Sequence, residues 1–481
     1  MNVIGVVNKA VTIALHHYDN SKSGESLRWQ YRLRRGLAIQ GEFALPVLSS
    51  SDIFGEAATL GLNSDATPKS LHSKWAEREA VLSIFRDPVP ERCSLLEELS
   101  EREWRGLLRW LDYSGLALYF LDRIAELDRC YLLPASASEH LRRNLADNAE
   151  RTRVMFTESA AIQQEFQRAG LSFAALKGLS LWPFAVPKPE LRSQFDLDFL
   201  IAGRCALEAR RILEQRGYRL YAISGRSWEF KLNERPGLTI KDLYKPMPSH
   251  AVELHLVPGA AAHSSPLDRV EFRPLFGMEM PVLAPVDLFL GQALHLCKHL
   301  CGEFSRASHL LEFRRHVLAR SDDDDFWSDL RSTAEVNQRA VLGLGVVTLL
   351  ITNLMGDFAP ETLTRWTVRP LPPPVRLWVE MYGSRAVLGS FPGTKLYLLL
   401  QREMQSAGIP ARRSPIKSLL PSRLPPPVIK PFPNEAMSVR ISRYRMQIEL
   451  VLRRLRFHLV EGLRYAWESY RWKQQRNRLG R

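Results

Sequence analysis

The stretch SFAALKGLSLWPFAVPKPELRSQFDLDFLI, Ser172 to Ile201, decides the fold. Its apolar opening, Phe173 to Leu176, predicts a short buried strand. Lys177-Gly178 ends that run, Leu179 to Val186 has the composition for one or two helical turns, and Pro187 and Pro189 impose an irregular connection. In Phe195-Asp196-Leu197-Asp198-Phe199-Leu200-Ile201, carboxylates and apolar residues alternate. A strand has a side-chain period of two, so Asp196 and Asp198 share one face while Phe195, Leu197 and Phe199 take the other. Like charges about 7 Å apart repel, and a bare pair is a poor way to stabilise a sheet. A divalent cation removes the conflict. Mg²⁺ or Mn²⁺ takes carboxylate oxygens and leaves positions open for substrate phosphates.

A third carboxylate is available in His250-Ala251-Val252-Glu253-Leu254-His255-Leu256, another alternating strand. Taken singly, each signal is weak. Asp-x-Asp is a common pattern, a lone Glu253 reads as solvent-facing, and a lone Lys177 reads as a surface lysine. Their order along the chain, on strands separated by a helix-forming segment, carries the metal reading.

Two carboxylates on one strand and a third on its neighbour, after a Lys-Gly turn, resemble the layout of the nucleotidyltransferase fold. More narrowly, the chain resembles an uncharacterised nucleotidyltransferase-like family of bacteria. That family's pattern is Lys-Gly, an Arg some fourteen residues on, Asp-x-Asp, and a later acidic-Leu-His strand. Lys177, Gly178, Arg192, Asp196, Asp198, Glu253 and His255 stand at those positions. The resemblance extends over Trp75 to Trp467 and is concentrated in this cluster. One departure is Gly178-Leu179-Ser180, where the wider superfamily has Gly-Ser.

The resemblance implies an α+β fold, a nucleotidyltransferase-type mixed sheet with helices, embedded in a mainly α-helical protein. It implies transfer of a nucleoside monophosphate from an NTP to an acceptor hydroxyl, with release of pyrophosphate. Asp196, Asp198 and Glu253 would be the catalytic and metal-holding residues, with Glu253 completing a second-metal site and activating the hydroxyl. Lys177, Gly178 and Ser180 would meet the phosphates. Arg192 would neutralise leaving-group charge or pair with Asp196. His255, His295 and His299 are further cleft candidates. Two rivals are a catalytically degenerate nucleotide-binding module and an adaptor acting through the C-terminal helix.

The 481 residues suffice for two or three domains and a large core. With 45% hydrophobic and 25% charged residues the composition is that of a globular protein, and the net charge of +14 favours anionic partners. Five scattered cysteines argue for a reducing, cytoplasmic setting over a disulfide framework. No apolar run approaches the roughly 20 residues of a membrane span. The expected organisation is a disordered segment over 1–70, helices over 71–170, the α/β core over 171–260, helices over 261–369, a Pro-rich linker over 370–436 and a basic amphipathic helix over 437–481.

Two features compete for attention. Val286 to His299 predicts an apolar helix carrying His295, Cys297, His299 and then Cys301. The two histidines face one way and the two cysteines another, about 160–200° apart, so a straight helix cannot close one tetrahedral zinc site from them. Residues 437–481 hold 11 Arg and 1 Lys against 3 Glu, a net +9. Ile441, Tyr444, Ile448, Leu452, Leu455, Leu459, Leu463 and Trp467 recur there at spacings of three and four. Such a stripe suits an anionic membrane surface, nucleic acid, or packing on the protein's own helical domain.

Overall fold

The structure, a computed structural model, describes residues 68–232, 242–246, 250–257, 265–275, 277–409, 418–419 and 437–479, all within one compact unit. Of the disorder expected over 1–70, residues 1–67 lie outside the described residues and Pro68 to Ser70 instead begin a helix; most of the strand expected at Leu238 to Leu243 also lies outside them. Four helices precede the sheet: α1 (Pro68–Ser83), α2 (Glu101–Ser114), α3 (Ala117–Glu126) and α4 (Ala135–Arg168). Ser100 caps α2 as its sequence predicts. Its hydroxyl accepts from the Glu103 N–H, and the Glu103 carboxylate accepts from the Ser100 N–H. Helix α4 runs 34 residues without a break at Asp147.

The strands are β1 (Phe173–Leu176), β2 (Asp196–Ala202), β3 (Arg219–Ser224), β4 (Ser227–Lys231), β5 (Ala251–Val257), β6 (Val270–Leu275) and β7 (Met278–Leu283). Helix α5 (Ala206–Gln215) follows β2. Together they form one mixed sheet in the order β3-β4-β5-β2-β1-β7-β6. The central strands are fixed by alternation. Leu197, Phe199, Ile201, Val252 and Leu254 pack on one face against Met155, Phe156, Ile162 and Phe166 of α4 and Ile212 and Leu213 of α5. Phe166, Phe173 and Phe199 meet edge to face at 5.3–6.2 Å. Each such ring contributes about 1.5–3 kcal/mol by burial, so the register that places them inward is strongly selected. The opposite face of the same strands is thereby left to Asp196, Asp198, Glu253 and His255.

Two parts of the expected organisation change. The β6–β7 hairpin extends the sheet beyond residue 260, where only helices were expected. Pro370 to Pro374 is also no linker. After α6 (Pro285–Leu300), α7 (Ala307–Leu318), α8 (Asp324–Glu335), α9 (Gln338–Met355) and α10 (Glu361–Thr367), the prolines open α11 (Pro373–Trp378), with α12 (Ser384–Leu388) and α13 (Tyr397–Ser406) beyond. Proline at the first helical positions loses no hydrogen bond. Trp378, Leu388, Leu396 and Leu399 are fully buried in the helical core. Helix α9 is apolar and long enough to cross a membrane, the one such helix among the described residues, and is mostly buried in that core.

The last helix, α14 (Met437–Leu479), inverts one of the three readings of its stripe. Among the described residues, none covers the apolar stripe. The helix docks by the other side, where Phe457, Glu461, Glu468 and Trp472 are buried. Tyr382 donates to Glu468 at 2.9 Å, Thr394 to Glu461 at 2.8 Å, and the Trp472 indole to Glu403 at 3.0 Å. Ile441, Ile448, Leu452, Leu455, Leu459, Leu463 and Trp467 face outward, Leu463 at 67% and Trp467 at 66% exposure.

Candidate active site

Strand β1 delivers the chain to Lys177, whose φ of 49° turns it sharply away from the sheet. Glycine at 178 has a local cause: an added Cβ would lie 2.2 Å from the Gln194 side-chain oxygen. Across the sheet, β2 pairs with β5 in parallel and sets Asp198 directly opposite Glu253. Glu253 and His255 share a strand face by the period of two, and that face is the one Asp198 occupies. The loop before β2 is held by Asn148, whose amide donates to the carbonyls of Glu190 and Arg192, and by Arg151, which stacks on Phe195 at 4.2 Å.

Asp198 is the hub. The Lys177 ammonium donates to its Oδ1 at 2.7 Å, and the His255 Nε2 lies 2.7 Å from the same oxygen. The Glu253 Oε2 is 3.5 Å from His255 and 3.9 Å from Lys177, and it is buried without a hydrogen-bond partner. Burial pushes the Asp198 carboxyl up, but Lys177 and His255 outweigh it and hold it well below the usual range. Burial and the Asp198 charge push Glu253 up to about 8 and Asp196 up to about 6. Burial depresses Lys177, yet Asp198, Asp196 and Glu253 together raise it. Three carboxylates thus share the one lysine ammonium that touches Asp198, with Arg192 and Arg306 acting on Asp196 from farther off, and the Glu253 Oε2 is an acceptor without a hydrogen-bond partner. These residues fit a divalent cation.

The tight donor set differs from the expected one. Asp198, Glu253 and His255 place one ligand atom each within 4.8 Å of one another. Asp196, on the same face of β2, stands outside that group. Ser180 is not placed to meet a phosphate, because it is fully buried and its hydroxyl donates to the Lys177 carbonyl at 2.8 Å. Arg192 pairs with Glu312 of α7 at 3.2 Å rather than with Asp196, and it also donates to Gln194 at 3.1 Å. Tyr119 completes that network by donating to Glu312 at 3.1 Å. Glu312 and Tyr119 lie far from the motif in sequence, and no spacing signal marks them. His295 and His299 do come together, and His309 joins them from α7. Nothing in the sequence marks that third histidine except its position ten residues after His299.

The raised carboxyls have a consequence for stability. An acid whose pKa folding raises is favoured only while protonated, so its contribution is present at low pH and lost as pH climbs towards the folded value. For Glu253 that window runs from the ordinary 4.5 to about 8, and for Asp196 from 3.8 to about 6. Asp198 acts oppositely, losing its contribution only in acid. With chelator present, the melting temperature of the wild type relative to Glu253→Gln should fall as pH rises from about 4.5 to about 8, because the buried histidines, whose lowered pKa values raise stability with pH, act alike in both proteins. Superimposable profiles for the two proteins in a pH series of thermal melts would contradict the assignment.

Comparison with known proteins follows the same residues. A family model described as an uncharacterised nucleotidyltransferase matches residues 100–351. Among solved structures, the chain is similar to an antigenic nucleotidyltransferase-like protein from Paracoccidioides brasiliensis, at 13% identity and a TM-score of 0.25, over 45% of this chain and 97% of that one. No curated protein matches. The family match covers just over half of the chain and takes in Lys177, Asp196, Asp198, Glu253 and His255. The chain belongs to the family of uncharacterised nucleotidyltransferases.

Proposed function

We propose that this protein transfers a nucleoside monophosphate from an NTP to an acceptor hydroxyl and releases pyrophosphate. The observation that carries the reading is the parallel register of β2 and β5, which sets Asp198 opposite a Glu253 whose Oε2 has no hydrogen-bond partner. Asp198, Glu253 and Asp196 would hold Mg²⁺ or Mn²⁺, and a bound divalent ion supplies charge neutralisation at the phosphate oxygens. Lys177 adds a fixed positive charge at the same place, available to a triphosphate oxygen. Burial and the Asp198 charge make Glu253 the carboxylate of the cluster with the greatest proton affinity while no metal is bound. It would accept the proton of the acceptor hydroxyl as the new P–O bond forms at the α-phosphorus and the bond to pyrophosphate breaks. Arg192, fixed on Glu312, would act through space on Asp196. A cytoplasmic setting suits this chemistry, and no disulfide joins any of the five cysteines.

A second reading rests on α14. Its outward apolar stripe is bordered by the exposed Arg445, Arg456 and Lys473, the arrangement of a helix lying on an anionic bilayer surface. This reading supplements the enzyme and places it at a surface rich in negative charge.

Two experiments test these readings. In calorimetry with MgATP and the other three NTPs, the wild type should bind at least one nucleotide in a metal-dependent manner. Asp196→Asn combined with Asp198→Asn should lose that binding, while Glu253→Gln, which keeps both aspartates and an amide oxygen at position 253, should weaken it far less. Label transfer from α-labelled NTPs to cell extract should then fall at least about a hundredfold in Glu253→Gln, the scale of a lost general base. Equal labelling by Glu253→Gln and wild type removes Glu253 from the reaction. For α14, vesicles containing phosphatidylserine should co-sediment with the full chain and neutral vesicles should not. Leu459→Glu with Leu463→Glu should abolish that co-sedimentation without lowering the melting temperature, because both residues are exposed. Unchanged sedimentation in the variant, or none in the wild type, rejects the surface reading.

A further inference from the structure

Metal-ligating side chains converge a second time, in a group that contains no carboxylate. His295 and His299 lie one turn apart on α6 and share a face, and α7 brings His309 to them. One ligand nitrogen from each lies within 4.8 Å of the others. The Nε2 atoms of His295 and His299 are 3.1 Å apart, and the three ring centroids are separated by 4.5, 5.3 and 5.5 Å. A tetrahedral ion with bonds of about 2.0–2.1 Å spaces its donor nitrogens by about 3.3 Å, so the observed pair has nearly the edge length of such a polyhedron. Two bare imidazole nitrogens facing each other at 3.1 Å repel. Either a proton or a cation must lie between them.

Burial pushes all three rings below the ordinary histidine range, His299 to about 3, and the neighbouring rings and cations push the same way. A neutral ring carries one N–H and one lone pair, so with the N–H on Nδ1 each ring can turn its Nε2 lone pair to a metal without first losing an imidazolium proton. The His299 ring is also hydrogen-bonded to the Phe304 backbone, the kind of outer contact that fixes a ligand ring in place. On His309 a buried Nδ1 lacks a hydrogen-bond partner. The neighbouring cysteines do not contribute: Cys297 is buried in the helical core and the Cys301 Sγ lies 3.6 Å from the Met404 Sδ.

We propose that His295, His299 and His309 form a three-nitrogen site for a borderline divalent transition metal of the Zn²⁺ class, separate from the hard-oxygen carboxylate cluster. Imidazoles bind Zn²⁺ and Co²⁺ well and Mg²⁺ poorly, so the two clusters sort two kinds of ion. Three protein ligands leave one tetrahedral position for another group. Lys177, Lys298 and Arg306 all act electrostatically on these rings, and that field selects an anionic oxygen, hydroxide or phosphate, as the fourth ligand.

Chelator-treated full-length protein is titrated with Co²⁺ and followed by visible d–d absorption, and zinc content is measured by mass spectrometry after reloading and dialysis. The wild type and Cys297→Ser with Cys301→Ser should develop the same tetrahedral bands and retain near-stoichiometric zinc. His309→Gln should lose at least about tenfold in Co²⁺ affinity, the scale of a lost ligand contact. Excess Mg²⁺ should leave the bands unchanged. If His309→Gln fails to fold, judged by its circular dichroism, His295→Gln takes its place. The proposal is overturned if the wild type gives no bands and keeps no zinc, in which case a proton joins His295 and His299. It is equally overturned if the histidine variant binds like the wild type, or if Mg²⁺ displaces Co²⁺.

Discussion

The parallel pairing of β2 with β5 is the constraint on which the rest of the site depends. It brings Asp198 and Glu253 side by side in a sheet whose other face is closed by aromatic and aliphatic packing. A one-residue slip would turn Phe199 and Leu254 towards the site and both carboxylates into the core, at a cost no fold could bear. The repulsion that accompanies the correct register is met locally. Lys177 and His255 both reach the same oxygen of Asp198, while burial, reinforced by the Asp198 charge, raises the pKa values of Glu253 and Asp196. The hydrophobic face therefore enforces an electrostatic arrangement that would not assemble by itself. Such forced pairs are where function concentrates.

Helices α6 and α7 close the other side. Glu312 of α7 anchors Arg192, and His309 of the same helix meets the pair on α6. The helical domain thus supplies part of the site in addition to covering the sheet. Lys177 links the two clusters, since it binds Asp198 and also lowers the proton affinity of all three histidines. Helix α14 is held by polar contacts and two aromatic residues, Phe457 and Trp472, while its aliphatic stripe stays exposed.

Much of the centre was legible because it rests on local signals. Phe173 to Leu176 is apolar and short, FDLDFL alternates, and Glu253 sits in an alternating strand of its own, so β1, β2 and β5 could be read off directly. What was not legible depended on which partner each face meets. Periodicity says that Leu459, Leu463 and Trp467 share a face of α14, but it cannot say whether that face is covered. Prolines at 370 and 372–374 look like a linker, and only the burial of Trp378 and Leu396 shows that they open core helices. The β6–β7 hairpin is disguised by Pro274 and Pro281 and by outward residues such as Phe272. Arg192 finds Glu312 across 120 residues, a pairing set by tertiary structure alone. Ser180 was misplaced for a simpler reason: a turn one residue longer points its hydroxyl back to Lys177.

The central claim is that the carboxylates on β2 and β5 bind a divalent cation together with a nucleotide. Anomalous scattering from crystals grown with Mn²⁺ and a non-hydrolysable NTP tests it most directly. The account predicts a manganese peak within bonding distance of Asp198 and Glu253, with triphosphate oxygens completing its coordination and Lys177 turned to the phosphates. Nucleotide bound elsewhere on the protein, with no manganese between those two carboxylates, would contradict it.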